Sequence, residues 1–397
     1  MSQAQLGGDT LSRSYISLLE GGQREPTDSV LVHLAERLGR PLLEVREWAM
    51  ADRHREQLED AADYTEALVA LADGRLYDAS VRGERLRRRD GEGEQGLAAW
   101  TAEQLRLIHA SAADDIQAME ASCLRLSQHW LYGADGALRG RVLTSWSVAA
   151  RSEGLLSLAA SRAWEAVSLL DGEEHCTARL SAEIALISAL GEAGEASVAK
   201  GRTATVLELV DRVGHTVESG KALWALGNIE FLAGTPEQGV AFHDRATELI
   251  DPNANLRSWA RLQRVSALMR MRVGRTGPDI DELLDRAARA FSISATTTDA
   301  AEMLVARGMR AGSRDNASEA LALFDEALTS RAVLPPQTVA DVLDARGRAR
   351  DQLGDSAGAR VDYSGAAAIL FSLGALARGL EICREHRIPP PTPAPTS

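Results

Sequence analysis

The chain has 397 residues, enough for two or three domains with a buried core, and its 45% apolar and 25% charged side chains are the balance of a water-soluble globular protein. Its 57 acidic residues against 44 basic ones give a net charge of −13, which excludes a general nucleic-acid coat but leaves room for a small DNA-reading module on a larger acidic body. No apolar run is long enough to cross a bilayer, MSQAQLGGDT lacks the regions of a signal peptide, and the scattered Cys123, Cys176 and Cys383 form no CxxC, so the reading is a cytoplasmic protein without zinc site or disulfide framework.

Aromatic residues are 4% of the chain, and the abundance of Ala, Leu, Arg and Glu favours helices throughout. Only Lys200 and Lys221 among the basic residues are lysines, a bias that reads as a GC-rich coding sequence. Residues 1–50 form short elements. A helix runs from Leu11 to Glu20, opened by Ser12 as cap and ended by Gly21-Gly22 in the left-handed conformation. Thr27 or Asp28 caps a helix from Ser29 to Leu38, Gly39-Arg40-Pro41 stops it, and Leu42 to Met50 makes one more short helix.

The first of these segments resembles the Cro/C1-type helix-turn-helix family. The matching residues are Ser2-Gln3-Ala4-Gln5-Leu6, Leu11 to Glu20 (LSRSYISLLE), Gly22, Arg24 and Pro26. Gly7 stands where the family has Ala, Asp9-Thr10 replaces the Gly of the turn, and the turn is one residue shorter. The resemblance implies that the second motif helix lies in the major groove of duplex DNA. Arg13 and Ser14 would then face bases, Arg13 as a bidentate donor to guanine, with Ser17 nearby and Ser12 also among the DNA-binding residues. Gln3 and Arg24 would contact phosphates, and Leu6, Leu11, Ile16 and Leu19 would form the core. The family's domain has a further helix before Ser-Gln, so 1–50 is expected to be a helix-turn-helix segment with its first helix missing.

From about residue 57 the pattern becomes paired amphipathic helices with an internal repeat. Small residues near the end of each second helix recur at Ala166, Val206, Ala246, Ala287, Ala327 and Ala366, with spacings of 40, 40, 41, 40 and 39. The clearest unit is Leu223-Trp224-Ala225-Leu226-Gly227-Asn228 with Gly234, Gly239, His243 and Ala246; others carry Gly308, Phe324 and Ala327, or Gly347, Tyr363 and Ala366. Weaker units are proposed upstream around Trp100 to Cys123 and Ala67 to Leu86, the latter including Gly74. These positions resemble the tetratricopeptide repeat, lengthened from its usual 34 residues and degenerate from Ile187 to Val206. The fold expected is all-α, a partial helix-turn-helix domain followed by a right-handed repeat solenoid over 57–386 and a Pro-rich tail at 387–397 that is extended or disordered.

In that family, peptides lie along the wall made by the first helices. The matching positions are Trp224, Asn228 and Phe231, then Arg261 and Arg264, with Asp341, Asp344 and Asp351 further on. Asn228 suits a peptide backbone and the two arginines a carboxylate. Arg85 to Arg89 reads as a solvated helix end, and Glu173-Glu174-His175-Cys176 lacks a second ligand pair. No Ser-His-Asp order, HExxH or phosphate loop occurs, so neither enzyme activity nor a cofactor is expected. The expected function is a DNA-binding transcriptional regulator, dimerising to present two reading heads, whose array senses a peptide or binds a protein. The alternative is an interaction scaffold that no longer reads DNA.

Overall fold

A computed structural model describes residues 1–21, 24, 26–72, 75–89 and 96–391, without the side chains of 50–61, 72, 87–89 and 173. Gly22, Gly74 and the end of the Pro-rich tail lie outside the described residues, as do the side chains of Arg87 to Arg89 and Glu173. The described residues are helical, with no strand among them, and they divide into two compact units, 1–105 and 106–397.

The first unit begins with α1 (Gln3–Gly7), α2 (Arg13–Glu20) and α3 (Asp28–Leu38). Each is opened by a hydroxyl that satisfies an orphan backbone donor. Ser2 and Gln5 form a capping box, Ser12 Oγ accepts from the Tyr15 amide at 3.1 Å, and Thr27 Oγ1 accepts from Val30 at 3.4 Å. Gly39 ends α3 at φ +63°, a conformation in which only glycine is unstrained. Gly21 is different from the expectation: its φ is −84°, so α2 does not end there in a left-handed turn. Ile16 is buried on α2, and α1 lies beside it at Gly7, where a Cβ would meet the Ile16 side chain at an ordinary 3.5 Å. From α3, His33 Nε2 bonds Gly7 O at 3.0 Å and Arg37 donates to Gln5 O at 2.6 Å, which ties off free carbonyls of α1.

The short helix expected over Leu42–Met50 continues as α4 (Leu42–Ala72), paired with α5 (Leu76–Arg89). No Gly or Pro occurs between 42 and 72, so nothing in the backbone stops the helix. The boundary expected between 50 and 57 therefore falls inside one helix. The division between units lies instead at Leu105, within α6 (Leu97–Ala113). The compositional change near residue 50 marks a change of helix length, not a break in the chain.

The second unit continues with α7 (Ile116–Gln128) and α8 (Trp130–Ala134) and then stacks helical hairpins. They are α9 (Gly136–Ser152) with α10 (Leu156–Leu169); α11 (Cys176–Ala193) with α12 (Ala196–Lys200) and α13 (Thr203–Val213); and α14 (Val217–Leu232) with α15 (Pro236–Leu249). There follow α16 (Pro252–Arg272) with α17 (Asp279–Ser294), α18 (Thr297–Gly312) with α19 (Ala317–Thr329), α20 (Pro336–Gln352) with α21 (Ser356–Ser372), and a closing helix α22 (Leu376–Glu385). The extra length over a 34-residue repeat sits in the first helices, 16 to 21 residues each. The degenerate unit is the one whose second helix is broken, between Lys200 and Thr203.

The repeat positions do what their size predicts. Ala166, Val206, Ala246, Ala287, Ala327 and Ala366 are all 0% exposed. In three hairpins a ring of the second helix lies on a glycine of the first. A Cβ at Gly227 would stand 2.2 Å from the His243 ring, at Gly308 2.6 Å from Phe324 and at Gly347 2.4 Å from Tyr363.

The array also returns onto itself. Gln337 Nε2 of α20 donates to Glu192 Oε2 at 2.6 Å and to Arg151 O at 3.2 Å, and Arg378 Nη1 of α22 donates to Glu192 O at 3.2 Å. Leu156, at the start of α10, is buried in one apolar cluster with Leu334, Val339 and Ala375. The turns of the early hairpins thus pack on helices about four hairpins later.

Gly308→Ala and Gly347→Ala should each destabilise the protein by roughly 1–3 kcal/mol through overpacking, despite the better helix propensity of alanine. Gly312→Ala, whose Cβ would meet Ala320 at an ordinary 3.9 Å, should be neutral or stabilising by up to about 1 kcal/mol. Urea denaturation of the three variants checks this, and equal effects at 308 and 312 would contradict the ring-on-glycine account.

Candidate functional site

In the first unit, Ser12, Arg13, Ser14 and Ser17 are all exposed, while Ile16 of the same helix is buried. The Ser12 cap fixes where α2 starts and so which side chains lie at its N-terminal end. The expected base-facing Arg13 and Ser14 are therefore exposed at the start of α2, as are Ser12 and Ser17. The two expected phosphate contacts are placed otherwise. Gln3 Nε2 donates to Glu20 Oε2 at 2.7 Å, which holds its amide at the far end of α2. The Arg24 guanidinium lies 4.8 Å from the Tyr15 ring centroid, an exposed cation–π contact.

In the second unit, the partly exposed stripe of α14 is Lys221, Trp224 and Asn228, at helical spacing. Phe231 is not on it. It is 4% exposed, seated on Gly239 of α15 and 5.3 Å from the His243 ring, because the bare glycine backbone leaves room for its ring between the helices. Phe231 is thus a core residue and not a wall residue.

Asn228 Oδ1 pairs with His243 Nε2 at 3.1 Å. With His243 donating, the Asn228 amide hydrogens make no hydrogen bond among the described residues. One turn away, Trp224 Nε1 is buried and without a partner among the described residues, and so is His243 Nδ1. Burial pulls the His243 pKa down to about 3, with the backbone of Trp224 opposing and the Arg270 charge adding to the shift. The imidazole is therefore neutral, and its contact with Asn228 holds that side chain in place.

The two arginines expected to clasp a ligand carboxylate both hold carboxylates of the protein. Arg264 is 6% exposed and pairs with Glu302 of α18, so it is not an open wall position. Its long helix buries it between α16 and α18. Arg261 donates from Nε to Asp299 Oδ1 at 2.5 Å and from Nη2 to Asp114 Oδ2 at 2.6 Å, and Arg257 bonds the same two aspartates. Burial of Asp299 would raise its pKa, but the Arg261 charge and the hydrogen bonds from Arg261 and Arg257 outweigh it, so the carboxyl is held below the ordinary aspartate range. The acidic residues further on are engaged as well: Asp341 with Arg378, Asp344 with Arg348 and His386, and Asp351 with the Tyr363 hydroxyl.

Sequence reasoning missed Asp114, Arg257, Thr296 and Asp299; Asp114 meets Arg257 and Thr296 across 143 and 182 positions with no local signal, whereas Thr296 and Asp299 stand at capping-box spacing. His243 had one. It stands 16 residues after Gly227, as Phe324 and Tyr363 stand after Gly308 and Gly347, so a polar ring occupies an aromatic core position.

No protein-family model and no curated protein matches the chain. Among solved structures it is similar to a Rap protein complexed with competence and sporulation factor, at 14% identity over 92% of each chain with a TM-score of 0.60. Two further likenesses, to the P58(IPK) TPR domain (14% identity, 82% of this chain and 98% of that one, TM-score 0.26) and to the APC/C hetero-tetramer Cut9–Hcn1 (12%, 93% and 92%, TM-score 0.32), add nothing to the fold assignment at those scores. The fold is an all-helical, tetratricopeptide-like solenoid. Among the described residues no helix is long and apolar enough to cross a membrane.

Because His243 is neutral in the fold and protonates near 6.5 when exposed, the unfolded chain binds more protons below that pH, and stability must fall as pH drops from about 6.5 towards 3. The slope from this group is at most about 1.4 kcal/mol per pH unit. The ring signal of His243 in an NMR titration should not move between pH 8 and 5; a midpoint near 6.5 would contradict its burial. Arg264→Ala should cost roughly 2–3 kcal/mol, because it leaves Glu302 unpaired beside a low-dielectric interface, and thermal denaturation measures it.

Proposed function

We propose that the chain is a cytoplasmic regulator of transcription, whose solenoid binds a peptide or protein along its first-helix wall and whose helices α1–α3 read duplex DNA. The observation that carries the peptide reading is the Trp224–Asn228 stripe of α14, where one buried and one half-buried donor group lack partners among the described residues. The half-buried Asn228 amide, whose oxygen faces His243, is the group on this stripe placed to donate to a backbone carbonyl of an extended ligand. The likeness to a Rap protein complexed with competence and sporulation factor supports peptide or protein binding by the solenoid. No catalytic step is part of this reading.

The DNA reading rests on the exposed row Ser12, Arg13, Ser14 and Ser17 on a helix with a defined start. In a dimer, two such helices would face successive half-sites. The second reading, an interaction scaffold that does not bind DNA, is favoured by one observation: the Gln3 amide is committed to Glu20, which also places a carboxylate where a phosphate would approach.

Selection of the full chain on a randomised duplex library separates the two. The regulator reading expects a preferred sequence, weakened by Arg13→Ala by roughly 1–3 kcal/mol in a base-dependent way, while Gln3→Ala lowers affinity for every sequence alike. Absence of any selected sequence at low salt leaves the scaffold. In either case Asn228→Ala should weaken ligand binding, and it should also cost roughly 1–3 kcal/mol of stability, because it leaves the buried His243 Nε2 unpaired.

A further inference from the structure

The Arg257–Arg261 pair is built to a more specific design than an ordinary ion pair. Both side chains donate their Nε to the same buried carboxylate, Asp299, at 2.5 Å. Asp299 is 0% exposed and also caps α18 through Thr296 in a capping box, so it is fixed to the backbone. With their Nε edges anchored, the two guanidiniums bring their Nη2 groups onto one point. That point is a single oxygen, Asp114 Oδ2, which takes hydrogen bonds from Arg257, Arg261 and the Thr296 hydroxyl. Among the described residues the other oxygen, Oδ1, takes none. Two cations and one permanent anion remain if Asp114 leaves, a site with net positive charge and three converging donors.

The occupant sits on a short turn. Asp114 and Asp115 are the whole turn between α6 and α7, and Asp114 sits at φ +56°. Aspartate and asparagine tolerate that left-handed conformation better than other residues with a side chain. Asp115 caps α7 independently, accepting from the Ala118 amide at 3.0 Å, so α7 keeps its start when Asp114 is withdrawn. Arg257 and Arg261 stand 40 positions after Val217 and Lys221, one repeat on from the stripe that carries Trp224 and Asn228.

We propose that Arg257 and Arg261 form a receptor for a peptide carboxylate, filled in the resting protein by Asp114, and that a ligand binds by displacing the α6–α7 turn. This rests on the reading of the first-helix wall as a peptide groove. The turn is then both a competitor for the ligand and the part of the protein that reports its arrival. Charge-assisted hydrogen bonds from oriented guanidiniums suit a C-terminal carboxylate or an acidic side chain equally.

The test uses the full chain and a randomised acetylated pentapeptide library, mixed in equal free-acid and C-terminal amide forms, with the bound fraction read by mass spectrometry. In Asp114→Asn, which keeps the turn because asparagine tolerates its backbone angles, the acid-to-amide ratio should rise at least tenfold over wild type. Adding Arg261→Ala should return it to the input value. Enrichment of Asp or Glu among bound amides instead assigns the site to an acidic side chain and equally supports the receptor. If neither the ratio nor the acidic content changes in Asp114→Asn, the receptor is wrong. Peptide binding that then still depends on Asn228 leaves the wall reading standing, and no binding at all overturns both. Should the variant fold poorly, hydrogen exchange at residues 112–115 of the wild-type chain decides. Faster exchange with the free-acid library supports displacement, and unchanged exchange with peptide bound overturns it.

Discussion

The close approach of the two helices in each hairpin is the contact on which the second unit depends. A ring from the second helix rests on bare backbone of the first, at Gly227, Gly308 and Gly347, and an alanine or valine with no exposed surface closes the pair a turn later. Few large side chains are available to this chain, and the arrangement places them where each buries its whole face. Small residues on both helices set the separation, and the separation in turn decides which side of the first helix remains uncovered. The Lys221–Trp224–Asn228 stripe is what remains. Where the ring is a histidine, the same contact acquires a polar consequence: His243 cannot ionise in its seat, and its hydrogen bond orients Asn228 toward the open side.

Arginine does the electrostatic work between helices. Arg346 grips Asp362 with two parallel bonds of 2.9 and 2.6 Å, Arg310 does the same to Asp281 at 2.9 and 2.7 Å, and Arg202 pairs with the fully buried Glu183. Only a planar fork gives this bidentate geometry. The near absence of lysine, whatever its origin in the coding sequence, is therefore used structurally. Buried pairs of this kind add little net stability compared with apolar packing, but each is costly to break and so penalises a wrong hairpin register.

A repeat array held only by neighbouring units would behave as a one-dimensional stack. Here the C-terminal ends of α9 and α11 bond α20 and α22, and the turn before α7 bonds α16 and the cap of α18. These bonds join segments far apart in sequence, so the free energy of the early hairpins is coupled to that of the late ones. A ligand that loosens one such turn has a route to alter units it does not touch.

The helical fold, the hairpins and their register could be read from the amino-acid sequence because their causes are local or periodic. Ser2, Ser12 and Thr27 cap helices by bonding amides three residues on, and the 40-residue recurrence of Ala166 to Ala366 follows from a packing contact that every unit must repeat. The same logic placed Ser12, Arg13, Ser14 and Ser17 together on α2. What the tertiary structure decided were the pairings between distant segments and the burial that depends on a neighbour's shape. Phe231 went into the core because Gly239 vacated a seat for it, Arg264 was buried against Glu302, and α4 ran through the expected domain boundary because nothing interrupted it. Arg261 met Asp114 across 147 positions. A charge written in the sequence does not name its partner, since the Coulomb attraction of any arginine for any aspartate is the same until the packing of the hairpins brings one of them within reach.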